Sequence, residues 1–369
     1  MAREGLAALT LAIVTTACVN TTAPIDLYRA DTKVIRLALK NPRSAICPGE
    51  PVPLDVELDV VVGSDLLHLK QRRFDLDDRI FEPRQLHLSS AQGFFGENGS
   101  FYPDPDVTKS VQTGFVLFVR APHGPAFAVR FPPSYECTAA IGAAGRYGAP
   151  GRDGEDAIAV DPNAVEPDAA ARGHTAQEGG AGGEGPHFSV YVTWVRTPDY
   201  TKLLAARSFG DVQRITLVAP GTPLDIHARG GRGGAGGRGG QGGRGLLKGT
   251  STDGRAIYGD GATGGTGGTG GVGGTGGDVD IYVDERFDDL ERMFNADTSG
   301  GEGGQGGQPG RGGDGGRPND FKRGMEGSVT QGAPGAPGIN GKRGRPGRVR
   351  TARADVRAQF EGLGAIVPY

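Results

Sequence analysis

Glycine recurs with a period of three through much of the second half of this chain, and this period limits what that half can fold into. Gly-Gly pairs open five successive triplets over 230–243 and five more over 264–277. A third set keeps its phase over 300–316, with Pro309 once in place of the first glycine, and a short set covers 179–183. A flexible linker needs glycine but no phase. We therefore interpret the period as an extended helix with three residues per turn.

Two further segments carry one glycine per triplet instead of two. They cover residues 142–154 and 332–347. Glycine brings no side chain to bury, so any order in all these segments must come from backbone hydrogen bonds to neighbouring segments. The sequence predicts a bundle of polyglycine-II helices, with the residues at the third positions on its outer face. These are Arg232, Ala235, Arg238, Gln241 and Arg244 in one set, Thr266, Thr269, Val272 and Thr275 in the next, and Glu302, Gln305 and Asp314 in the last.

A disordered glycine-rich tail is the alternative to this bundle. Glycine loses more conformational freedom on ordering than any other residue, so isolated runs are expected to be disordered. Only mutual pairing of the runs, together with docking onto the strands between them, offsets this loss. We expect the ordered bundle because the period persists through three long runs.

The composition of the chain changes near residue 140, where we place a domain boundary. All but eight of the 67 glycines follow that residue. Residues 33–140 alternate apolar and polar side chains, for example over 54–60 and 127–131, between proline-rich breaks, which is typical of a small β-sandwich. Residues 141–369 form the Gly-rich repeat domain, with strands expected at 187–195 and 279–283 and one helix at 285–294. The predicted fold is mainly β: a small N-terminal β-sandwich followed by a Gly-rich polyglycine-II helix bundle with interleaved strands.

The N-terminal segment indicates export. Residues 1–17 combine a weakly basic start with an apolar stretch over 6–17 that is too short to span a bilayer as a helix. The stretch ends in Val14-Thr15-Thr16-Ala17-Cys18, which resembles a bacterial lipoprotein box and implies lipidation of Cys18. Thr15 departs from the usual leucine of that motif, and a plain secretory signal cleaved near Ala17 is the alternative. Residues 18–32 are polar and rich in threonine, as expected for a tether.

The other two cysteines are consistent with export. If Cys18 carries lipid, Cys47 and Cys137 remain as a pair that brackets the N-terminal domain. An exported protein meets an oxidising compartment, so we predict a disulfide between them. Two buried free thiols are the alternative.

Several segments resemble known Gly-rich proteins. GRYGAPGRDGED (145–156) and GAPGAPGINGKRGRPGR (332–348) look like collagen, and the Gly-Gly-X runs look like the polyglycine-II bundles of springtail antifreeze proteins and of some phage adhesins. The combination of signal peptide, β domain, Gly-rich runs and DVDIYVD (278–284) resembles the collagen-like lipoproteins of Gram-negative bacteria. This resemblance implies a location and an architecture, but no chemistry.

No pattern in the chain predicts an enzyme, a metal site or a cofactor. No Gly-rich motif follows a strand and opens a helix as nucleotide binding requires, and the six histidines are scattered without metal-ligand spacing. The Arg-Gly-Gly repeats lack the aromatic residues that would favour nucleic acid, so we expect a solvated cationic face, with an anionic surface polysaccharide as the alternative ligand. The threonine row of Thr266, Thr269 and Thr275 would suit an ice- or sugar-binding face.

The sequence therefore predicts a non-enzymatic structural component of the bacterial cell envelope or surface. It is expected at the outer membrane or cell surface, held by lipid on Cys18, with a secreted or periplasmic protein as the alternative location. The alternative function is an adhesin or binding module for a surface glycan or an envelope protein, displayed on the Gly-rich scaffold. Nucleic acid is not an expected partner.

Overall fold

The structure is a computed structural model. It describes residues 24–41, 43–71, 81–97, 99–137, 139–157, 171–245, 247–254, 256–316 and 330–369. The predicted signal peptide and Cys18 lie outside these residues. The chain divides into two compact units. One comprises the described residues of Met1–Pro103 and Phe115–Phe131, and the other those of Asp104–Gly114 and Pro132–Tyr369.

The fold is mainly β, as predicted. Strands of the first unit are β1 (Thr32–Lys40), β2 (Asp55–Val62), β3 (Asp65–Gln71), β4 (His87–Ser89), β5 (Gly93–Phe95), β6 (Phe101–Pro103), β7 (Phe115–Arg120) and β8 (Ala126–Phe131). Strands of the second unit are β9 (Ala139–Gly142), β10 (Phe188–Arg196), β11 (Leu203–Gly210), β12 (Arg214–Val218), β13 (Leu224–His227), β14 (Leu247–Thr250), β15 (Ala256–Tyr258), β16 (Val279–Asp284), β17 (Phe294–Asp297), β18 (Val349–Ala354) and β19 (Val367–Pro368). The helical segments are short 3₁₀ turns: η1 (Pro83–Gln85), η2 (Val107–Lys109), η3 (Leu290–Arg292) and η4 (Arg357–Phe360).

The first unit contains two antiparallel three-stranded sheets around one core. The sheets have the orders β1-β2-β3 and β4-β7-β8, and β5 and β6 form a separate hairpin. The alternation in β2 buries Val56, Leu58 and Val60, and these side chains join residues of β7 in one apolar cluster. Part of the predicted tether belongs to this unit, because Leu27 is fully buried in the same cluster.

Two larger sheets of the second unit have an apolar core between them, and β14 and β15 form a separate antiparallel hairpin. A six-stranded sheet runs β12-β11-β10-β16-β18, with β19 paired to β10, and a parallel sheet runs β17-β13-β9. Side chains from both sheets share one core, which includes Ile226 and Val192. The opposite face of the larger sheet packs on a second apolar cluster around Tyr135 and Phe360.

Six glycine-rich runs leave or enter these two sheets. They are run 1 (143–157), run 2 (171–187), run 3 (228–245), run 4 (259–278), run 5 (298–316) and run 6 (330–348). Runs 1, 3 and 5 follow β9, β13 and β17, while runs 2, 4 and 6 lead into β10, β16 and β18. The strand order of each sheet therefore continues as the order of three runs, which we name the odd layer (runs 1, 3 and 5) and the even layer (runs 2, 4 and 6).

Backbone hydrogen bonds between the runs repeat every third residue. Runs 1, 2, 3 and 4 each donate hydrogen bonds to the parallel run two places later. An example is the Gly233 N–H, which donates to the Glu302 carbonyl at 2.8 Å. Runs 2 to 6 also donate hydrogen bonds to the antiparallel run that precedes them in the chain. An example is the Gly234 N–H, which donates to the Gly180 carbonyl at 2.8 Å. Parallel bonds thus lie within a layer, and antiparallel bonds join the two layers.

The predicted helix bundle is not seen, because none of the six runs forms a helix in its described residues. The described residues of the runs are neither α-helix nor strand, and their backbone hydrogen bonds go to neighbouring runs. The helix predicted at 285–294 is wrong. Only the 3₁₀ turn η3 forms there, because Phe294 pairs with Leu224 at the start of β17. The spacing of Phe287, Leu290 and Phe294 instead places these residues against the core between the sheets.

Candidate functional site

The two outer faces of the layered runs differ in chemistry. In run 3 of the odd layer, all the predicted third-position residues from Arg232 to Arg244 are exposed. Carboxylates of run 1 lie beside them, since Asp153 accepts from Arg238 N–H and Asp156 from Gln241 N–H, each at 2.7 Å. The odd face is therefore a mixed-charge surface in which acids and bases alternate between neighbouring runs.

The even face carries a row of small side chains on run 4. Thr266 and Val272 are exposed, while Thr263, Thr269 and Thr275 are half-buried. In the threefold conformation that the glycine period predicts, three residues correspond to a spacing of about 9 Å. The row is regular and only weakly polar, which suits a flat solid or polymeric surface better than a small ligand.

A row of aromatic rings crosses the larger sheet of the second unit. Tyr191 of β10 stacks on Tyr282 of β16 with ring centroids 4.9 Å apart, and Phe209 of β11 meets the edge of Tyr191 at 5.6 Å. The Arg207 guanidinium lies 4.8 Å from the centre of the Phe209 ring. All four side chains are partly exposed. Partly exposed rings beside a cation offer both an apolar face and charge to a ligand.

A cavity of about 420 Å³ opens at the end of this row, next to the turn between β11 and β12. It is lined by Arg207, Phe209, Gln213 and Arg214, by Thr108 within η2, and by Asp106, which precedes η2. Neither arginine forms an ion pair with a carboxylate among the described residues. The volume lies within the range of small-ligand sites, and a lining of arginines, a carboxylate and an amide favours a polyhydroxylated molecule.

A fully buried carboxylate of this unit, Asp284, serves the structure. It accepts from the Thr193 hydroxyl at 2.5 Å, and holds Arg286 through Nε at 2.9 Å and Nη2 at 2.6 Å. Burial raises the pKa of Asp284, but the hydrogen bonds from Arg286 and Thr193 outweigh it and leave the pKa below its ordinary value. Arg286 also donates to the backbone carbonyl of Tyr369. Both carboxylate oxygens are thus occupied, which leaves no lone acid or base for catalysis there.

The first unit has its own exposed aromatic surface. Phe94 and Tyr102 stack face to face across the β5–β6 hairpin with centroids 5.1 Å apart, and Phe94 is 65% exposed. A separate open cavity of about 540 Å³ lies over the outer face of the β4-β7-β8 sheet, beside Phe118 and Phe127. Both features are apolar and shallow.

Among the predicted site residues, Cys47 and Cys137 are joined in a disulfide. Cys18 lies outside the described residues. No helix in the described part of the chain is both long and apolar enough to cross a membrane.

Comparisons with family models, curated proteins and solved structures give no match to this chain. Its function must therefore be inferred from its own geometry.

The sequence did not reveal the aromatic row, although two of its members lie at the same place in predicted strands. Tyr191 and Tyr282 face each other because β10 and β16 pair in parallel register. A single sequence with alternating patterns in both strands does not give that register. Phe209 lies in β11, which was not predicted, because its run of Leu-Leu-Ala-Ala does not alternate.

Proposed function

We propose that this chain is an exported, non-enzymatic surface component whose six runs form a rigid polyglycine-II bundle. The observation that supports the proposal is the repeated ladder of backbone hydrogen bonds, 2.7 to 3.1 Å long, between neighbouring runs. An extended chain without such cross-links would be flexible, whereas each run here is tied to two, three or four others. The first unit is proposed to be a small β-sandwich.

The proposed role is a stiff platform that holds surfaces away from the cell. In this proposal Cys18 carries lipid and anchors the chain at the outer membrane or cell surface, and a secreted or periplasmic protein is the alternative. The Cys18→Ser variant would lack this anchor and should be absent from the membrane fraction. The Cys47→Ser variant keeps the anchor and should remain in that fraction. Mass spectrometry of the mature N-terminus tests the same point, because an unmodified Cys18 contradicts lipidation.

Amide exchange of the full chain, followed by NMR, tests the rigid bundle. First- and second-position glycines of runs 3 and 4 donate to other runs, so we expect their amides to exchange slowly. Third-position amides such as those of Arg232 and Thr266 have no backbone acceptor in the described part of the chain, and they serve as the internal fast reference. Equally fast exchange at all three positions would contradict the bundle.

A second candidate function is a glycan- or protein-binding module displayed on this platform. The aromatic row of Phe209, Tyr191 and Tyr282, together with the adjacent cavity, favours it. A glycan array probed with the wild-type chain and with Tyr191→Ala tests this candidate. We expect hits that the substitution abolishes, and hits that survive it would place binding elsewhere.

A further inference from the structure

One edge of the second unit carries a row of cations with no acidic residue between them. Residues 330–354, which contain run 6 and β18, include six Lys and Arg side chains and neither Asp nor Glu. The whole chain has a net charge of −3, so this edge departs strongly from the rest. We name these six residues the basic edge: Lys342, Arg343, Arg345, Arg348, Arg350 and Arg353.

The basic edge is exposed, and most of it is not neutralised. All six residues are exposed. Only Arg353 forms an ion pair within the described residues, with Asp288. Asp278 and Asp280 of the neighbouring chain segment lie closest in register, since the Asp278 side chain accepts from Arg348 N–H and Asp280 faces Arg350 across the β16–β18 pairing. Neither carboxylate forms an ion pair with those arginines in the part of the chain that is described.

The backbone of this edge is held straight. Run 6 donates to run 5 through Gly341, Gly344 and Gly347 and accepts from run 4 at Lys342 and Arg345, all at 2.8 Å. Lys342, Arg345 and Arg348 are therefore spaced about 9 Å apart in single file. This separation is close to the Debye length of roughly 8 Å at physiological salt, so each cation can bind its own anionic group with little repulsion from the next.

From this geometry we infer that the basic edge binds a linear acidic polysaccharide that bears carboxylate groups. A rigid file of three cations about 19 Å long matches an extended polyanion better than it matches a compact ligand. Export, which is proposed from the N-terminal segment and is consistent with the disulfide, favours a surface glycan over nucleic acid. Anionic lipid is less well matched, because a single file offers a membrane only a line of contact.

The same arginines could instead protect the open side of β18 from pairing with another strand, since charged edge strands resist aggregation. The two roles give different results in a binding experiment. A protective role predicts self-association of the neutralised variant without any loss of polyanion binding.

The experiment measures binding of the purified full chain to polygalacturonate, with neutral dextran, duplex DNA and phosphatidylglycerol vesicles as comparison probes. The test variant carries Lys342→Gln, Arg345→Gln and Arg348→Gln. The control carries Arg232→Gln, Arg238→Gln and Arg244→Gln, which removes the same number of third-position cations from run 3, where run 1 supplies acids. We expect the test variant to bind polygalacturonate about tenfold or more weakly with a shallower salt dependence, and the control to change less than about twofold.

Equal losses in both variants would overturn the inference, because net charge alone would then explain binding. Absence of polygalacturonate binding by the wild-type chain at low salt would also overturn it. Tighter binding to DNA or to the vesicles than to polygalacturonate would show that the assigned partner class is wrong. Amide exchange of the glycines in run 6 distinguishes a failure to fold from a loss of ligand contact, since none of the substituted side chains supplies a backbone hydrogen bond.

Discussion

Gly179 and Gly180 are neighbours in run 2, yet only Gly179 faces another backbone closely. A Cβ on Gly179 would overlap the Gly234 carbonyl oxygen, whereas a Cβ on Gly180 would lie 3.0 Å from its nearest neighbour, the Ala149 nitrogen. The same rule holds in all six runs. First positions face the next run, second positions face the run two places earlier, and third positions face solvent. Glycine is needed only where that neighbouring run exists.

This rule predicts unequal effects of alanine at two adjacent glycines. Gly179→Ala must push run 3 away, and we expect it to lower the free energy of unfolding by about 2–3 kcal/mol. Gly180→Ala should change it by less than about 1 kcal/mol, because reduced freedom of the unfolded chain offsets the mild crowding. Chemical denaturation of both variants measures the difference, and equal losses would contradict the layered arrangement.

The contribution of the Asp284 carboxylate to stability likewise depends on its neighbours, Arg286 and Thr193. We expect Asp284→Asn to lower the free energy of unfolding by about 2–3 kcal/mol, because Arg286 loses its charged acceptor. The lowered pKa of Asp284 means that its contribution is complete above the unfolded value of 3.8 and is lost as pH falls through the folded value. Between about pH 5 and pH 3, the Asn variant should therefore lose less stability than the wild type. Identical acid titrations of stability would contradict this role.

At the scale of elements, the two kinds of glycine repeat correspond to two kinds of place in the layers. Runs 3, 4 and 5 have neighbours on both sides that demand glycine at two positions, and they carry the Gly-Gly-X pattern. Runs 1 and 6 lie at opposite ends of the arrangement and carry one glycine per triplet. The collagen-like segments are therefore edge runs in this fold.

Prolines in the later runs follow the same geometry. Pro309 of run 5 and Pro334, Pro337 and Pro346 of run 6 occupy first positions, whose N–H groups would point to a run beyond run 6. Proline lacks an N–H and fixes φ near the value that this conformation needs. It is therefore tolerated where no acceptor run follows, and it closes that edge against further pairing.

Proline substitutions at first positions test this reasoning. Gly270 of run 4 donates to the Ile339 carbonyl at 2.8 Å, so Gly270→Pro removes a buried hydrogen bond and adds a ring against run 5. We expect a loss of about 3 kcal/mol or more in the free energy of unfolding. Arg343→Pro, at a first position of the edge run 6 whose N–H has no backbone acceptor among the described residues, should change it by less than about 1 kcal/mol. Thermal denaturation compares the two, and a larger loss from Arg343→Pro would contradict the assignment of the edge.

The stability of a single run is marginal. Each Gly-Gly-X triplet in an inner run donates two hydrogen bonds, worth about 1–3 kcal/mol together. The two glycines lose roughly 1–2 kcal/mol more conformational freedom than alanines would. The runs thus depend on the apolar core between the sheets, where β9, β13 and β17 and the strands β10, β16 and β18 set their register.

At the scale of the whole molecule, the disulfide between Cys47 and Cys137 closes a loop of about 90 residues. In the chain-entropy description such a loop contributes roughly 4 kcal/mol to stability. We expect the double variant Cys47→Ser, Cys137→Ser to unfold at a lower temperature than the wild type. Cys18→Ser is the matched control and should leave the midpoint unchanged. A midpoint unaffected by the double variant would show that the disulfide does not contribute to stability.

The sequence predicted the mainly β class, the cysteine pair, strands β10 and β16 of the second unit and the solvent-facing third positions. These features follow from local patterns: alternation for a half-buried strand, and a threefold period for a run with one outward face. It did not predict β11 and β18, because β11 is buried on both faces and β18 is an exposed edge, so neither alternates. The helix at 285–294 was wrong because pairing of β17 with β13 outweighs local spacing.

The glycine period by itself determined which residues can face another backbone and which must face water. Which run lies against which was decided only by the tertiary structure, because glycines carry no side chains that could distinguish one partner from another. The two sheets make that choice: their apolar side chains fix the strand order, and the runs inherit it. The aromatic row and the basic edge arise in the same way, since residues far apart in the chain meet only after the parallel register of β10, β16 and β18 is set.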